Sequence, residues 1–345
     1  MNGKTWNILG NYLRGRLRCA EFALTNACIA KCTFCNIWKQ QPKIFVDREK
    51  TLNAIDRLAD FGVSHVTLTG GEPLLHPRII DFVARATKRR LNNAVLVAAP
   101  QLLLRGEMPR RLEDAGCDLI SVSFDSGDPA TMAASRQIPN IMAEMARAIA
   151  AVKQTCLKTM ASVLIWNENH DKLEDVCREA EEMGFDFISL NYPTFSQSDV
   201  YELGGEGINL SREKVVAAME DAIRLIQAKK YPIINSPLSL RNIINYLKNP
   251  ATAQYPCFGG TRVLFVDWFF DVHPCMQLPQ VLGSILTMRE SELARPACNA
   301  CNMSWYRDFS MLHGGLRAIP ALCEALGGNR GLIGAGGKAA GRRRG

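Results

Sequence analysis

The sequence has 345 residues and contains no apolar run of about twenty residues, the length that a membrane-spanning helix requires. Its N-terminus, MNGKTWNILGNYLRGRLR, has charges scattered through it where a signal peptide would keep an uninterrupted apolar stretch. Net charge is also low, +7 in all, and much of it lies near the C-terminus, in Lys338 and residues 342–344. We therefore expect a cytoplasmic protein with no transmembrane segment and no nucleic-acid partner.

The composition predicts a globular protein that ends in a polar tail. Hydrophobic residues make up 47% of the chain and charged residues 22%, so a large core can form. The final stretch, GLIGAGGKAAGRRRG, has almost nothing to bury and is expected to be solvated and disordered. The alternative is a tail that touches an anionic substrate, nucleic acid or a membrane surface.

The cysteines narrow the possibilities further. A reducing compartment disfavours disulfides and makes metal binding or catalysis the use to expect of clustered thiols. Five of the twelve cysteines are scattered and are predicted to be small core residues. The seven clustered cysteines are Cys28, Cys32, Cys35, Cys257, Cys275, Cys298 and Cys301.

Short β-rich segments alternate with segments of helical period from residue 20 onward. Six strands are predicted, at EFALTN, SHVTLTG, NAVLVAA, CDLISVSFD, TMASVLIW and FDFISLNYP. Helices are predicted at residues 47–61, 77–90, 105–115, 137–154, 170–184 and 211–229. The first of them begins at Asp47, a capping residue, and stops at Gly62. Repeated β-α units predict an α/β fold with a parallel sheet, either open or closed toward a barrel.

Polar and glycine-rich segments follow the predicted strands, at the edge where a parallel sheet carries its chemistry. The first strand is followed by CIAKCTFC, which contains Cys28, Cys32 and Cys35, and the second by TGGEP. Three thiolates can hold three irons of a cubane cluster and leave one iron open, whereas a structural zinc site needs four ligands. The loop therefore predicts an iron–sulfur cluster with one open iron.

The CxxxCxxC spacing, with an aromatic before the last cysteine and GGEP at residues 70–73, resembles the radical S-adenosylmethionine (radical SAM) superfamily. The resemblance implies a partial (βα)6 TIM-like barrel over roughly residues 17–195, with a 4Fe–4S cluster on the three cysteines. It implies that the open iron binds S-adenosylmethionine and that one electron then releases a 5'-deoxyadenosyl radical, which abstracts hydrogen from an unactivated carbon. The implied partner is an electron donor such as flavodoxin or ferredoxin.

The resemblance also implies further cofactor-binding residues. Gly70, Gly71, Glu72 and Pro73 stand where the family holds the methionine amino group. The other matching positions are Phe34 at the adenine, Ser123 and Asp125 beside the cofactor, Arg136 at the methionine carboxylate and Asn167 at the ribose. For Arg136 and Asn167 a surface or capping role is the alternative. The sequence assigns no catalytic acid or base.

A second group of cysteines lies near the C-terminus, at Cys257, Cys275, Cys298 and Cys301. The segment TRVLFVDWFFDVHPC predicts a hairpin that turns around Trp268 and Phe269. From their spacing the cysteines suit either zinc or a fully ligated 4Fe–4S cluster. The resemblance favours iron, because the arrangement looks like the short SPASM form, called twitch, which binds one auxiliary 4Fe–4S cluster. The family usually has glycine where this chain has Phe270.

These interpretations divide the chain into five segments. They are an N-terminal helical extension (1–16), the radical SAM partial barrel (17–195), a linker with helices (196–255), a small Cys-rich α+β auxiliary domain outside the barrel (256–326) and a Gly/Arg-rich tail (327–345).

The predicted enzyme oxidises or otherwise modifies a C–H bond of a small molecule, such as a tetrapyrrole or a sugar alcohol, and its auxiliary cluster transfers electrons. A small molecule is favoured because peptide maturases of this family often carry an additional N-terminal domain for the leader peptide. The alternatives are a ribosomal peptide maturase of the SPASM type, an enzyme like the molybdenum cofactor cyclase, and a non-catalytic iron–sulfur or zinc scaffold.

Overall fold

The computed structural model describes residues 3–193, 208–249, 257–296, 298 and 303–311. Six parallel strands form the first part of its sheet. They are β1 (Arg18–Ala23), β2 (Val63–Thr69), β3 (Asn92–Val97), β4 (Leu119–Ser123), β5 (Lys158–Leu164) and β6 (Phe187–Asn191). Each pairs with the next in sequence, which gives the order β6-β5-β4-β3-β2-β1. All six overlap the predicted strands, and the predicted α/β class is confirmed.

Helices cover the connections between these strands and continue after β6. They are α1 (Gly3–Leu13), α2 (Arg48–Asp60), α3 (Ile79–Lys88), α4 (Met108–Asp114), α5 (Pro129–Arg136), α6 (Ile141–Val152), α7 (Leu173–Met183), α8 (Arg212–Ala228), α9 (Pro237–Lys248) and α10 (Ser304–Met311). The α2 helix begins as predicted, because the Asp47 carboxylate accepts a hydrogen bond from the Lys50 amide at 2.9 Å.

The predicted helix at residues 137–154 is wrong at its N-terminal end. The helix there, α6, begins only at Ile141, and residues 137–140 form the turn after α5, with Gln137 and Asn140 both at a φ of +52°. Asp128 caps α5 through the Thr131 amide at 2.7 Å, in a stretch that the sequence analysis treated as loop. Left-handed backbone at two non-glycine residues gives no signal in the hydrophobic period, so the break was not predicted.

The C-terminal hairpin extends the same sheet. Its strands are β7 (Val263–Val266), β8 (Asp271–His273) and β9 (Gly283–Ser284). Strand β7 pairs in parallel with β1, and the strands after it pair antiparallel, so the described strands form one nine-stranded sheet. The hairpin is confirmed, and its first strand, β7, pairs with backbone groups of β1 that would otherwise form an open edge.

The strands alternate between an apolar face in the hydrophobic core and a polar face, which we call the inner face. Val66, Leu68, Ile120 and Val122 on the apolar face are fully buried. The inner face carries Glu21, Thr67, Ser121, Ser123, Ser162 and Asn191, which the strand register brings to the same side. The polar groups therefore line the interior of the partial barrel.

Helix α10 lies against this interior. The Ser304 hydroxyl donates to the Asn191 side chain of β6 at 2.9 Å, and the Tyr306 hydroxyl donates to Glu21 of β1 at 3.3 Å. A single helix thus contacts the first and the last strand of the six. In the ranges that the structure describes, no helix is long and apolar enough to cross a membrane.

Candidate functional site

The three-cysteine loop follows β1. Cys32 is buried, Cys28 and Cys35 are half-buried, and all three are free thiols. Burial raises the pKa of Cys28 to about 12 and that of Cys35 to about 11, and the neighbouring Cys32 adds to both. Thiols with such pKa values lose their protons when a metal stabilises the thiolate, and metal binding then releases those protons.

The GGEP segment packs its backbone against the start of this loop. The amides of Gly71 and Glu72 donate to the carbonyls of Thr25 and Ala27, each at 2.8 Å. A Cβ at Gly71 would lie 2.3 Å from the Ala27 oxygen, and one at Gly70, whose φ is +133°, would lie 2.4 Å from the Thr25 oxygen. The glycines therefore permit the close approach of this segment to the backbone at Thr25 and Ala27. Their contact with the methionine group remains a prediction.

Glu72 binds the protein's own backbone. One carboxylate oxygen accepts from the Leu74 amide at 3.0 Å, and the other accepts from the amides of Ala98 and Ala99 at 2.8 Å each. The residue is fully buried, and burial raises its pKa to about 7 while the three amides oppose the rise. Glu72 thus joins the loops that follow β2 and β3, and Pro73 beside it begins a turn of 3₁₀ helix.

Asp125 and Arg136 form a buried ion pair next to the cysteine loop. The guanidinium donates from Nε to Asp125 Oδ2 at 2.8 Å and from Nη2 to the same oxygen. Its remaining nitrogen, Nη1, lies 3.5 Å from Cys32 Sγ, and the group stacks 5.0 Å from the centre of the Phe34 ring. The structure therefore brings together three predicted site residues around one thiol.

The remaining predicted positions lie at the ends of β4 and β5. Ser123 ends β4 on the inner face, half-buried. Asn167 is more peripheral, and its side-chain oxygen accepts from the Asn209 amide at 2.9 Å. Asn209 lies before Ser211, the N-cap of α8, and the contact of Asn167 with a ribose stays a prediction.

Asn169 is a supporting residue that the sequence analysis missed. Its amide nitrogen donates to the backbone oxygens of Asp125 and Leu164, and its oxygen accepts from the Trp166 amide, all at 2.8 Å. The residue is buried and joins the loops after β4 and β5. The sequence feature that could have identified Asn169 is its position in WNEN, the polar segment that ends the predicted fifth strand and follows it directly.

The second cysteine group lies around the hairpin. Burial raises the pKa of Cys275 to about 11, and Cys257 and Cys298 add to the rise, so the three thiols are neighbours. The Gly259 amide donates to Cys257 Sγ at 3.4 Å, and a Cβ at that glycine would lie 2.7 Å from the Pro274 oxygen. Cys301, the predicted fourth ligand, lies outside the described residues.

The departure from the family pattern at Phe270 has a conformational consequence. Phe270 has a φ of +69°, in the left-handed region that glycine favours. Its ring is buried and packs edge-on against Phe22 of β1, with centroids 6.0 Å apart. Trp268 is buried as well, whereas Phe269 is 61% exposed. Phe265 in the same segment is fully buried too, so core packing accounts for three of the four hairpin aromatics.

The donor sets fit iron–sulfur clusters. Among the described residues no three His, Cys, Asp or Glu side chains are placed to hold a single metal ion. The cysteines of a 4Fe–4S cluster each bind a separate iron. Each group here has three neighbouring free thiols and N–H donors directed at sulfur, among them Arg136 at Cys32 and the Gly259 amide at Cys257. Hydrogen bonds of this kind are a means by which proteins tune such clusters.

Glu21 is a further residue that the sequence analysis did not single out. It is 7% exposed on the inner face, and burial raises its pKa to about 7 although the hydrogen bond from Tyr306 lowers it. A carboxyl group with this pKa can gain or lose a proton near neutral pH. The signal was a single acid within the apolar strand RCAEFA.

Comparison with known proteins agrees with this architecture. Residues 22–180 match the family model described as the Radical SAM superfamily. The chain is 25% identical over 163 residues to the PqqA peptide cyclase of Granulibacter bethesdensis, an alignment that covers 47% of this chain and 43% of that protein. It is 23% identical over 287 residues to the AdoMet-dependent heme synthase of Nitratidesulfovibrio vulgaris, which covers 76% and 74%.

A solved structure shares the fold. Streptococcus suis SuiB bound to S-adenosylmethionine superposes with a TM-score of 0.62 at 13% identity, over 89% of this chain and 70% of SuiB. The match includes the region of the six parallel strands and confirms the partial barrel. Residues 22–180 therefore form a domain of the radical SAM superfamily, which uses an iron–sulfur cluster and S-adenosylmethionine.

Proposed function

We propose that this radical SAM enzyme modifies a C–H bond of a peptide. The observation that carries the proposal is the polar inner face. Thr67, Ser162 and Asn191 on this face already bond to other side chains of the protein, and Ser121 and Ser123 present their hydroxyl groups to the interior of the barrel. Such groups can pair with the backbone amides and carbonyls of a peptide, which would otherwise be buried without partners.

The comparisons support a peptide as well. The names of relatives include a peptide cyclase, and SuiB has also been solved with its precursor peptide SuiA, again with a TM-score of 0.59 to this chain. We infer a peptide substrate here in preference to the small molecule expected from the sequence.

A small molecule is the second candidate. The specific observation in its favour is a heme synthase that aligns over 76% of this chain and 74% of its own length. The aromatic residues of the hairpin and the linker would suit a hydrophobic substrate such as a tetrapyrrole, but core packing explains such residues equally well. That argument loses its basis, because Trp268 and Phe270 are buried and only Phe269 presents a large exposed ring.

In this proposal Cys28, Cys32 and Cys35 hold the first cluster, and the GGEP backbone and Ser123 line the S-adenosylmethionine site. When bound, the cluster supplies the electron that cleaves S-adenosylmethionine, and the resulting 5'-deoxyadenosyl radical takes a hydrogen atom from the substrate. The protein positions both molecules and keeps water away from the radical.

The second cysteine group is proposed to hold an auxiliary 4Fe–4S cluster. Cys257, Cys275 and Cys298 would be ligands together with Cys301, and four protein ligands leave no iron open for substrate. Its role would be electron transfer, with flavodoxin or ferredoxin as external donor in the cytoplasm. Oxidation of the substrate would release one further electron, which this cluster would accept, and one proton, for which Glu21 on the inner face is the candidate acceptor.

Cofactor chemistry is tested first, with anaerobically reconstituted and reduced protein. Wild type should convert S-adenosylmethionine to 5'-deoxyadenosine and contain about eight irons, whereas a Cys28, Cys32, Cys35 triple alanine variant should make none and contain about four. Zinc in the second group, or no iron in the first, would favour a scaffold.

The substrate class is tested by isotope transfer. Two fractions are prepared from fully deuterated cells, a tryptic peptide fraction and a metabolite fraction freed of peptides. Each is incubated with the reduced enzyme and unlabelled S-adenosylmethionine, and deuterium in 5'-deoxyadenosine is measured by mass spectrometry. Deuterium from the peptide fraction supports the proposal. Deuterium only from the peptide-free fraction would overturn it in favour of the small molecule.

A further inference from the structure

The contacts of Arg136 suggest a role beyond the one that the family resemblance implies. The residue ends α5 and is 6% exposed, and its partner Asp125 is completely buried. Two of its nitrogens bind one oxygen of Asp125, and the third, Nη1, points to Cys32 Sγ at 3.5 Å. Each end of the planar guanidinium therefore has a fixed partner in the protein.

Asp125 is fixed in turn, so it can hold the guanidinium in this direction. Its second oxygen, Oδ1, accepts from the Leu164 amide at 3.0 Å, and its backbone oxygen accepts from Asn169. Both carboxylate oxygens are thus used within the protein. Rotation of Arg136 toward a ligand would leave a buried carboxylate without its charge partner, which is costly.

The backbone at the end of α5 also fixes the cysteine loop. The Lys31 amide donates to the Arg136 carbonyl and the Thr33 amide donates to the Ser135 carbonyl, each at 3.0 Å. These two bonds bracket Cys32 on either side in the sequence. The C-terminal end of α5 therefore fixes the position of the Cys32 sulfur relative to the Arg136 guanidinium.

We propose that Arg136 is a positioning residue for the first iron–sulfur cluster and raises its reduction potential through Cys32. An N–H donor and a positive charge next to a ligating sulfur stabilise the reduced cluster, which is the more negative state. The inference rests on the proposed placement of a cluster on Cys28, Cys32 and Cys35. It assigns the positive charge of the guanidinium to the cluster instead of to the methionine carboxylate.

The test is a potentiometric titration of the reconstituted protein, without S-adenosylmethionine, followed by electron paramagnetic resonance. The signal of the first cluster is identified beforehand by its change when S-adenosylmethionine is added. In Arg136→Gln we expect the ratio of reduced to oxidised cluster at a fixed potential to fall about tenfold, which is about 59 mV for a one-electron couple. Arg136→Lys keeps a positive charge but cannot reach Asp125 and Cys32 together. The reduction potential of this variant should therefore lie between those of wild type and Arg136→Gln. Arg224→Gln, an exposed arginine paired with Asp221, is the control and should leave the potential unchanged.

Affinity for S-adenosylmethionine is measured on the same samples. A lower potential with an affinity within about twofold of wild type supports the proposal. An unchanged potential in both Arg136 variants with weakened S-adenosylmethionine binding would overturn it, because Arg136 would then bind the methionine group. The proposal would also be overturned if Arg136→Gln lost the cluster while Arg136→Lys kept the wild-type potential. Arg136 would then have a purely structural role. Absence of a first cluster from the wild type would instead contradict the proposed function.

Discussion

Gly71 offers a direct test of how the GGEP segment and the cysteine loop depend on each other. In Gly71→Ala the new Cβ would lie 2.3 Å from the Ala27 oxygen and 3.0 Å from the Cys28 Cβ. Ordinary contacts with a Cβ begin near 3.4 Å, so the Ala27 carbonyl must move by about 1 Å. The same carbonyl accepts the hydrogen bond from the Glu72 amide at 2.8 Å.

The cost follows from these distances. A shift of about 1 Å takes the bond between Glu72 and Ala27 beyond hydrogen-bonding distance. An unsatisfied buried backbone group costs about 1–3 kcal/mol, and the steric strain adds about 1–3 kcal/mol. We therefore expect Gly71→Ala to lower the free energy of unfolding by about 2–6 kcal/mol. A displacement of this size at the Ala27 carbonyl, directly before Cys28 in the sequence, should also reduce S-adenosylmethionine cleavage by about a hundredfold.

Urea unfolding under anaerobic conditions measures the stability, and formation of 5'-deoxyadenosine measures the activity. The matched control is Gly10→Ala in α1, where a Cβ meets no atom within 4 Å. Because alanine is the better helix former, the control should gain about 0.5–1 kcal/mol and keep full activity. Wild-type stability and iron content in Gly71→Ala would show that the segment does not need glycine for close approach, and the steric reasoning would be refuted.

Three further predictions concern buried residues. Because the pKa of Glu21 is raised to about 7, the contribution of this residue to stability declines as pH rises from about 4.5 through 7. Glu21→Gln should therefore be more stable than wild type by about 3 kcal/mol at pH 8 and nearly equal to it at pH 4.5. Equal stability of the two proteins at both pH values, measured by urea unfolding, would contradict this. Phe270→Gly relieves about 1 kcal/mol of backbone strain but removes a buried ring that packs on Phe22. We therefore expect the free energy of unfolding to fall by about 2–4 kcal/mol, and a more stable variant would show that strain dominates. Asn169→Ala removes the side-chain partner of three backbone groups and should lower the free energy of unfolding by about 2–4 kcal/mol. A decrease below about 0.5 kcal/mol would mean that water replaces the side chain.

The six parallel strands could be predicted because their signals are local. Each strand has a run of β-branched and apolar residues, and each is followed by a turn and a helical period. The cysteine spacing and GGEP are local as well, and the sheet brings them together because both follow adjacent parallel strands. The close approach of Gly71 to the Ala27 carbonyl shows why these residue types occur at this spacing.

The missed features depend on pairing between distant parts of the chain. Strand β7 pairs with β1 although more than two hundred residues separate them, and Tyr306 reaches Glu21 across 285 residues. Hydrophobic period describes which face of a segment is buried but not which segment covers it. For the same reason the sequence could not show that Arg136 faces Cys32. The sequence analysis assigned Arg136 to the methionine carboxylate and Cys32 to the iron–sulfur cluster.

Helix α10 explains why the barrel and the C-terminal hairpin are best understood as one unit. The helix follows the second cysteine group in the sequence and contacts both β6, through Asn191, and β1, through Tyr306. Strand β7 of the hairpin pairs with β1 on its other side. Helix α10 and strand β7 therefore join the region of the second cysteine group to β1, the strand that carries Glu21. In the proposed function, an electron accepted at that group and a proton accepted at Glu21 would complete the oxidation that begins when the substrate loses a hydrogen atom.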